Sequence, residues 1–176
     1  RHEWDDENVA ITGAWRYCYN GISTVNSIIK QVDDSFLEQE QKDKIFAELR
    51  AIRAYFYYRL LDWFGNVPLI TDYEDLSLKT NSSRAEVFDF TEKELLEVIE
   101  RLPESGYGKM TKNAGYCLLA RLYLNAEVFT GTPRWGDCLE ACGHISGTLE
   151  PDYFTNFLTE NEVSKEIIFA IPYDHK

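Results

Sequence analysis

Residues Leu49–Ile70 read LRAIRAYFYYRLLDWFGNVPLI, with six aromatic side chains and three arginines before G-N-V-P. A surface helix needs one apolar stripe, and this stretch offers two. Extended back to about Phe36, the helix carries one stripe of Ile45, Leu49, Ile52, Phe56, Leu60 and Trp63. A second holds Ala51, Ala54, Tyr58 and Leu61. Two stripes require two neighbours, so the helix is expected to lie sandwiched, with the small Ala51 and Ala54 allowing close approach. Gly65 is placed to cap it, and Val67 before Pro68 is pushed out of helical space, so VPLIT leaves as an extended segment.

The flanking sequence supplies the neighbours. Upstream, Ile11, Trp15, Cys18, Ile22, Val25, Ile29 and Val32 are spaced alternately four and three apart, a helix with one apolar seam. Ser35 and Glu38 read as a capping box opening the second helix, so the two should pack antiparallel. Downstream, Ser83 and Glu86 form another capping box. The helix they open carries Phe88, Leu95, Val98, Ile99 and Leu102 and ends at Pro103. A fourth helix, starting near Thr111, is apolar almost all round (Cys117, Leu118, Ala120, Leu122, Tyr123, Leu124, Val128) and is expected to be buried. T-G-T-P-R-W restarts a fifth with Trp135, Cys138, Leu139 and Cys142, and EIIFAI at 166–171 reads as a short buried strand.

The expected fold is therefore dominated by α-helices: tetratricopeptide-like hairpins in series, irregularly spaced, with a short strand near the C-terminus. A chain of 176 residues fits one such region, 1–176, and its two ends suggest a piece of a longer protein. The formal net charge of −12 argues against a nucleic-acid partner, and no apolar run is long enough to span a bilayer.

The quoted block also resembles the signature segment of the SusD/RagB family. Trp15, Tyr19, Ile22 and Asn26 (W-x3-Y-x2-I-x3-N) resemble that family's first helix. RAEVFDFTEKELLEVIERLPE resembles its third helix, TKNAGYCLLARLYLNAEVFTG its fourth, and SKEIIFAIPYD the strand that follows. The resemblance implies a lipid-anchored protein of the bacterial outer surface, typical of Bacteroidetes. Such a protein binds a glycan oligosaccharide or other nutrient and serves a TonB-dependent outer-membrane transporter of the SusC type. It implies no catalysis and no cofactor, and a lipid anchor lying outside this chain. The alternative is a tetratricopeptide-like adaptor that binds protein segments.

Candidate chemistry follows from residue types. Sugar recognition needs flat rings against C–H faces and polar groups for hydroxyls, for which Tyr and Trp are suited. Trp4, among acidic residues in a stretch without helical period, is the leading candidate platform. Trp15 on the first helical seam is the second, with packing as the competing role at both. Trp63 and Trp135 read as packing residues. Arg50, Arg53 and Arg59 are expected to lay their stems on the stack and pair with acidic neighbours. Glu94, Glu97 and Glu100 read as a solvated helix face rather than a glycosidase pair. Cys138 and Cys142 read as small hydrophobes rather than ligands, although His144 is near. No nucleophile elbow, H-E-x-x-H or phosphate loop occurs, so neither catalytic nor metal-binding residues are assigned.

Overall fold

A computed structural model describes residue 5 and residues 8–172. It is built of α1 (Val9–Asp33), α2 (Gln39–Phe64), α3 (Arg84–Val98, with a 3-10 turn at Ile99–Arg101), α4 (Lys112–Leu124), α5 (Ala126–Thr130) and α6 (Trp135–Gly143). Two further 3-10 turns follow, at Tyr153–Phe157 and Asn161–Val163. The helical-hairpin architecture read from the sequence is the observed one.

α2 is the central rod, packed on α1 along one side and α3 along the other. Ala51, Ala54, Tyr57, Leu60 and Leu61 are buried, while Phe56 is half-buried over α1. Cys18 and Ile22 of the α1 seam join its core, and Val25 is buried as well. Gly65 ends α2 at φ 77°, and its N–H reaches the carbonyls of Leu60 and Leu61 at 3.2 and 3.1 Å. That left-handed conformation suits glycine.

The rod begins later than expected. Ser35 Oγ donates to the Val32 carbonyl at 2.6 Å and so closes α1 instead of opening α2. The box that opens α2 lies three residues on, where Glu38 N–H donates to Gln41 Oε1 at 3.3 Å. Phe36 is consequently in the connection and fully exposed. The Ser83–Glu86 box does form: Ser83 N–H donates to Glu86 Oε2 at 2.7 Å and Glu86 N–H to Ser83 Oγ at 3.3 Å. Thr111 caps α4 through the N–H of Ala114 at 3.2 Å.

The segment after Gly65 is stitched into the groove between α1 and α2 by side chains. Tyr19 donates to the Pro68 carbonyl at 2.9 Å and Asn26 Nδ2 to the Ile70 carbonyl at 3.0 Å. The Tyr57 hydroxyl donates to the same carbonyl at 3.0 Å and accepts the Ile70 N–H at 2.6 Å. An irregular segment beside a core must satisfy its backbone groups somewhere, and here α1 and α2 supply the partners.

Three expectations are corrected. Among the described residues EIIFAI forms no strand; the bridge Val67–Ser82 stands outside any sheet. An extended segment becomes a strand only against a second one. Phe169 packs against Tyr55, while Ile167, Ile168 and Ile171 are exposed. α4 is not buried all round, since the helix breaks at Asn125 and leaves Leu124 and Val128 exposed. α6 rests on α4 through Ala141 and the half-buried Cys138, whose thiol donates to the Ala120 carbonyl at 3.2 Å. Trp135, Leu139 and Cys142, read as packing residues, instead face outward, because no described element lies beyond them.

Candidate functional site

Residues four apart on a helix share a face, and Tyr55, Arg59 and Trp63 form such a row on α2. The Arg59 guanidinium lies 5.4 Å from the Tyr55 ring and 5.0 Å from the Trp63 ring, with its Nε donating to the Tyr55 hydroxyl at 3.2 Å. Two rings and one hydrogen bond hold the arginine in place while its remaining donors stay available. Trp63 is 45 % exposed, so the row ends in an accessible indole. Phe56 and Tyr17 extend the aromatic surface towards α1, with centroids 5.7 Å (Tyr55–Phe56) and 5.6 Å (Tyr17–Phe56) apart.

Beside this row lies a cleft of about 370 Å³ between α2 and α4, closed along one edge by residues 166–169. Tyr58 is set into its floor, and Arg121, one of the few polar residues on α4, stands on its wall. Tyr58 is 8 % exposed, yet its hydroxyl meets no hydrogen-bond partner among the described residues and opens into the cleft. Burial raises its pKa, as does the Asp62 carboxylate, against the opposing pull of Arg121 and Arg59. Both arginines therefore lie within electrostatic range of that hydroxyl. Neither makes an ion pair with a carboxylate among the described residues.

The other arginines of α2 behave differently. Arg53 Nε donates to Glu94 Oε2 at 2.8 Å and Nη1 to Asn26 Oδ1 at 2.8 Å. Arg50 donates to Glu94 Oε1 through Nε and Nη2, at 2.8 and 2.6 Å, and to Glu97 at 2.6 Å. The expected pairing with acidic neighbours holds at these two positions, and it makes Glu94 a buried structural carboxylate instead of a solvated one. A second cleft, of about 470 Å³, opens beside this network, but its two central cations are already neutralised.

Of the positions singled out from sequence, Trp4 lies outside the described residues. Trp15 is half-buried at the α1 entrance, 4.7 Å from Tyr19 and edge-on to Phe64 at 5.1 Å; it does not line the α2–α4 cleft. Sequence reading passed over Tyr58, Arg121 and Phe169. The available signal was a cation in the last turn of an otherwise greasy helix, Arg121. Its convergence with Tyr58 and Phe169 joins residues far apart in the chain.

Fold and cleft together define a helical-hairpin protein with an accessible aromatic and cationic surface. The model of the SusD-like family described as "starch-binding associating with outer membrane" matches residues 1–124, and the chain belongs to that family. The starch-binding protein SusD of Bacteroides thetaiotaomicron is 30% identical over 138 residues, covering 73% of this chain and 25% of that protein. A SusD-like protein of Bacteroides ovatus is 30% identical over 94% of this chain and 33% of its own length. Among solved structures, a SusD-like protein of Bacteroides fragilis superposes with TM-score 0.78 at 27% identity, over 93% of this chain and 34% of that one. A structure with xylogluco-oligosaccharide superposes with TM-score 0.80 at 27% identity, over 93% of this chain and 36% of that one. The chain thus spans about a third or less of the length of these relatives.

Proposed function

We propose that the protein belongs to a glycan-uptake system at the outer cell surface. It captures an oligosaccharide and passes it to a TonB-dependent outer-membrane transporter of the SusC type, with no chemistry of its own. Family membership and the xylogluco-oligosaccharide relative support the ligand class. The observation in this chain that carries the reading is the half-exposed Tyr55–Arg59–Trp63 row beside a cleft whose floor presents an unpartnered hydroxyl. Rings offer a rigid face to sugar C–H groups, and the fixed arginine and tyrosine offer donors to hydroxyls. Surface placement through a lipid anchor is part of the same family-based reading; no described helix is long and apolar enough to cross a membrane.

Calorimetry of the full-length protein against a polysaccharide panel tests the ligand class, with Trp63→Ala as the control. Binding to at least one glycan, weakened about tenfold or more by Trp63→Ala, is expected from the loss of one stacking face. Titration in which peptides bind and no glycan does would remove the sugar assignment. Co-purification of a large β-barrel protein from outer membranes tests the transporter partner. Trp4 and Trp15 remain proposed stacking positions, and Trp4→Ala and Trp15→Ala belong in the same titration.

A further inference from the structure

We propose that the α2–α4 cleft is selective for anionic sugars. The group recognised is a negatively charged oxygen cluster on a sugar ring, a uronate carboxylate or a sulfate ester, held between Arg59 and Arg121 and hydrogen-bonded by Tyr58. The inference rests on the glycan-binding reading above and names the class of sugar for the same site.

The charge distribution carries the first part of the argument. The chain as a whole is at −12, but the charged residues lining this cleft are Arg59, Arg121 and Glu166. Glu166 is engaged by the chain itself, its Oε1 accepting the Glu150 N–H at 2.6 Å. Asp62 acts on Tyr58 from beside the cleft and makes no ion pair with either arginine among the described residues. The lining thus carries two cations against one carboxylate, and neither guanidinium is ion-paired among the described residues.

Tyr58 supplies an independent observation. The ring is buried but the hydroxyl has no protein partner among the described residues and stays accessible from the cleft, free to bind a ligand there. It donates one hydrogen bond, and an oxyanion is its strongest acceptor. Arg59 is already fixed by Tyr55 and Trp63, so little freedom is lost when its remaining N–H groups engage a planar carboxylate or a sulfate. A neutral hexose would take up the ring platform and leave both cations unpaired.

The full-length protein is titrated by calorimetry with an oligogalacturonate, its methyl-esterified form and a sulfated oligosaccharide of matched length. The proposal expects the carboxylate or the sulfate form to bind at least about tenfold tighter than the ester, and to weaken as salt is raised. Which of the two binds identifies the source of the anion. Arg121→Gln and Tyr58→Phe are each expected to weaken anionic binding about tenfold, with far-ultraviolet circular dichroism unchanged; Arg121 is exposed, so its replacement leaves folding intact. Equal affinity for acid and ester overturns the proposal, and so does anionic binding indifferent to both substitutions. If only neutral glycans bind, the anion selectivity falls and the glycan-capture function stands. If no glycan of either kind binds, both fall.

Discussion

Arg53 shows how a charge is kept inside this protein. It is 7 % exposed, and Glu94 opposite it is 4 % exposed. Glu94 takes Arg53 on one oxygen and Arg50 on the other, while Asn26 of α1 accepts a further N–H from Arg53. The Phe90 ring lies 5.8 Å from the same guanidinium. A buried pair of this kind gives little net stability over an apolar substitute, but removing one member strands the other. Glu94→Ala is therefore expected to cost about 3–5 kcal/mol in urea unfolding. Glu97→Ala, which removes only the exposed partner of Arg50, should cost far less. Equal losses from the two would show that the buried charge is not what the network protects. In the sequence Glu94, Glu97 and Glu100 look alike at helical spacing, and only the approach of α2 distinguishes the first from the others.

At the scale of elements, α1 and α2 approach closely where Gly21 meets Phe56. A methyl group on Gly21 would stand 2.3 Å from Phe56 Cζ, well inside contact distance. The ring must move or the helices must part. Gly21→Ala is expected to destabilise by about 1–3 kcal/mol despite the better helix propensity of alanine. Chemical denaturation reads this directly, and a gain in stability would mean that the ring moves aside freely. Helix boundaries were legible where a cap has one use, as at Ser83 and Thr111. They were misread at Ser35, because a serine between two helices can close the first or open the second. α6 shows the same ambiguity in burial. Its apolar residues were visible at helical spacing, but Ala141 is covered and Leu139 is 75 % exposed.

Across the whole molecule, acidic groups with raised pKa values set the alkaline limit of stability. Burial pushes the Cys18 thiol up to about 11. The Tyr57 hydroxyl, which ties α2 to the Pro68–Ile70 segment, is pushed up to about 12, chiefly by burial. The Tyr116 hydroxyl rises to about 12, chiefly through its hydrogen bond to Glu100. Each group holds its proton more tightly in the folded chain than in the unfolded one. The stability linked to it is fully present below its unfolded value and is lost as pH rises towards the folded value. The denaturation midpoint is therefore expected to be insensitive to these groups from pH 7 to about 9 and to fall between about 9 and 12. Tyr57→Phe should lower stability at neutral pH and flatten part of that fall. A midpoint that holds steady to pH 12 would contradict the assignment.

The amino-acid sequence by itself determined the helices, most of their ends, the central position of the Leu49–Phe64 rod and the family, because these depend on spacings of three or four residues and on local caps. Tertiary structure alone decided which apolar faces are covered, which of several like-charged side chains are paired, and that Tyr58, Arg59 and Arg121 meet in one cleft. Burial and pairing are relations between segments, and the strength of a charge or a ring depends on what stands opposite it across a few ångströms of space.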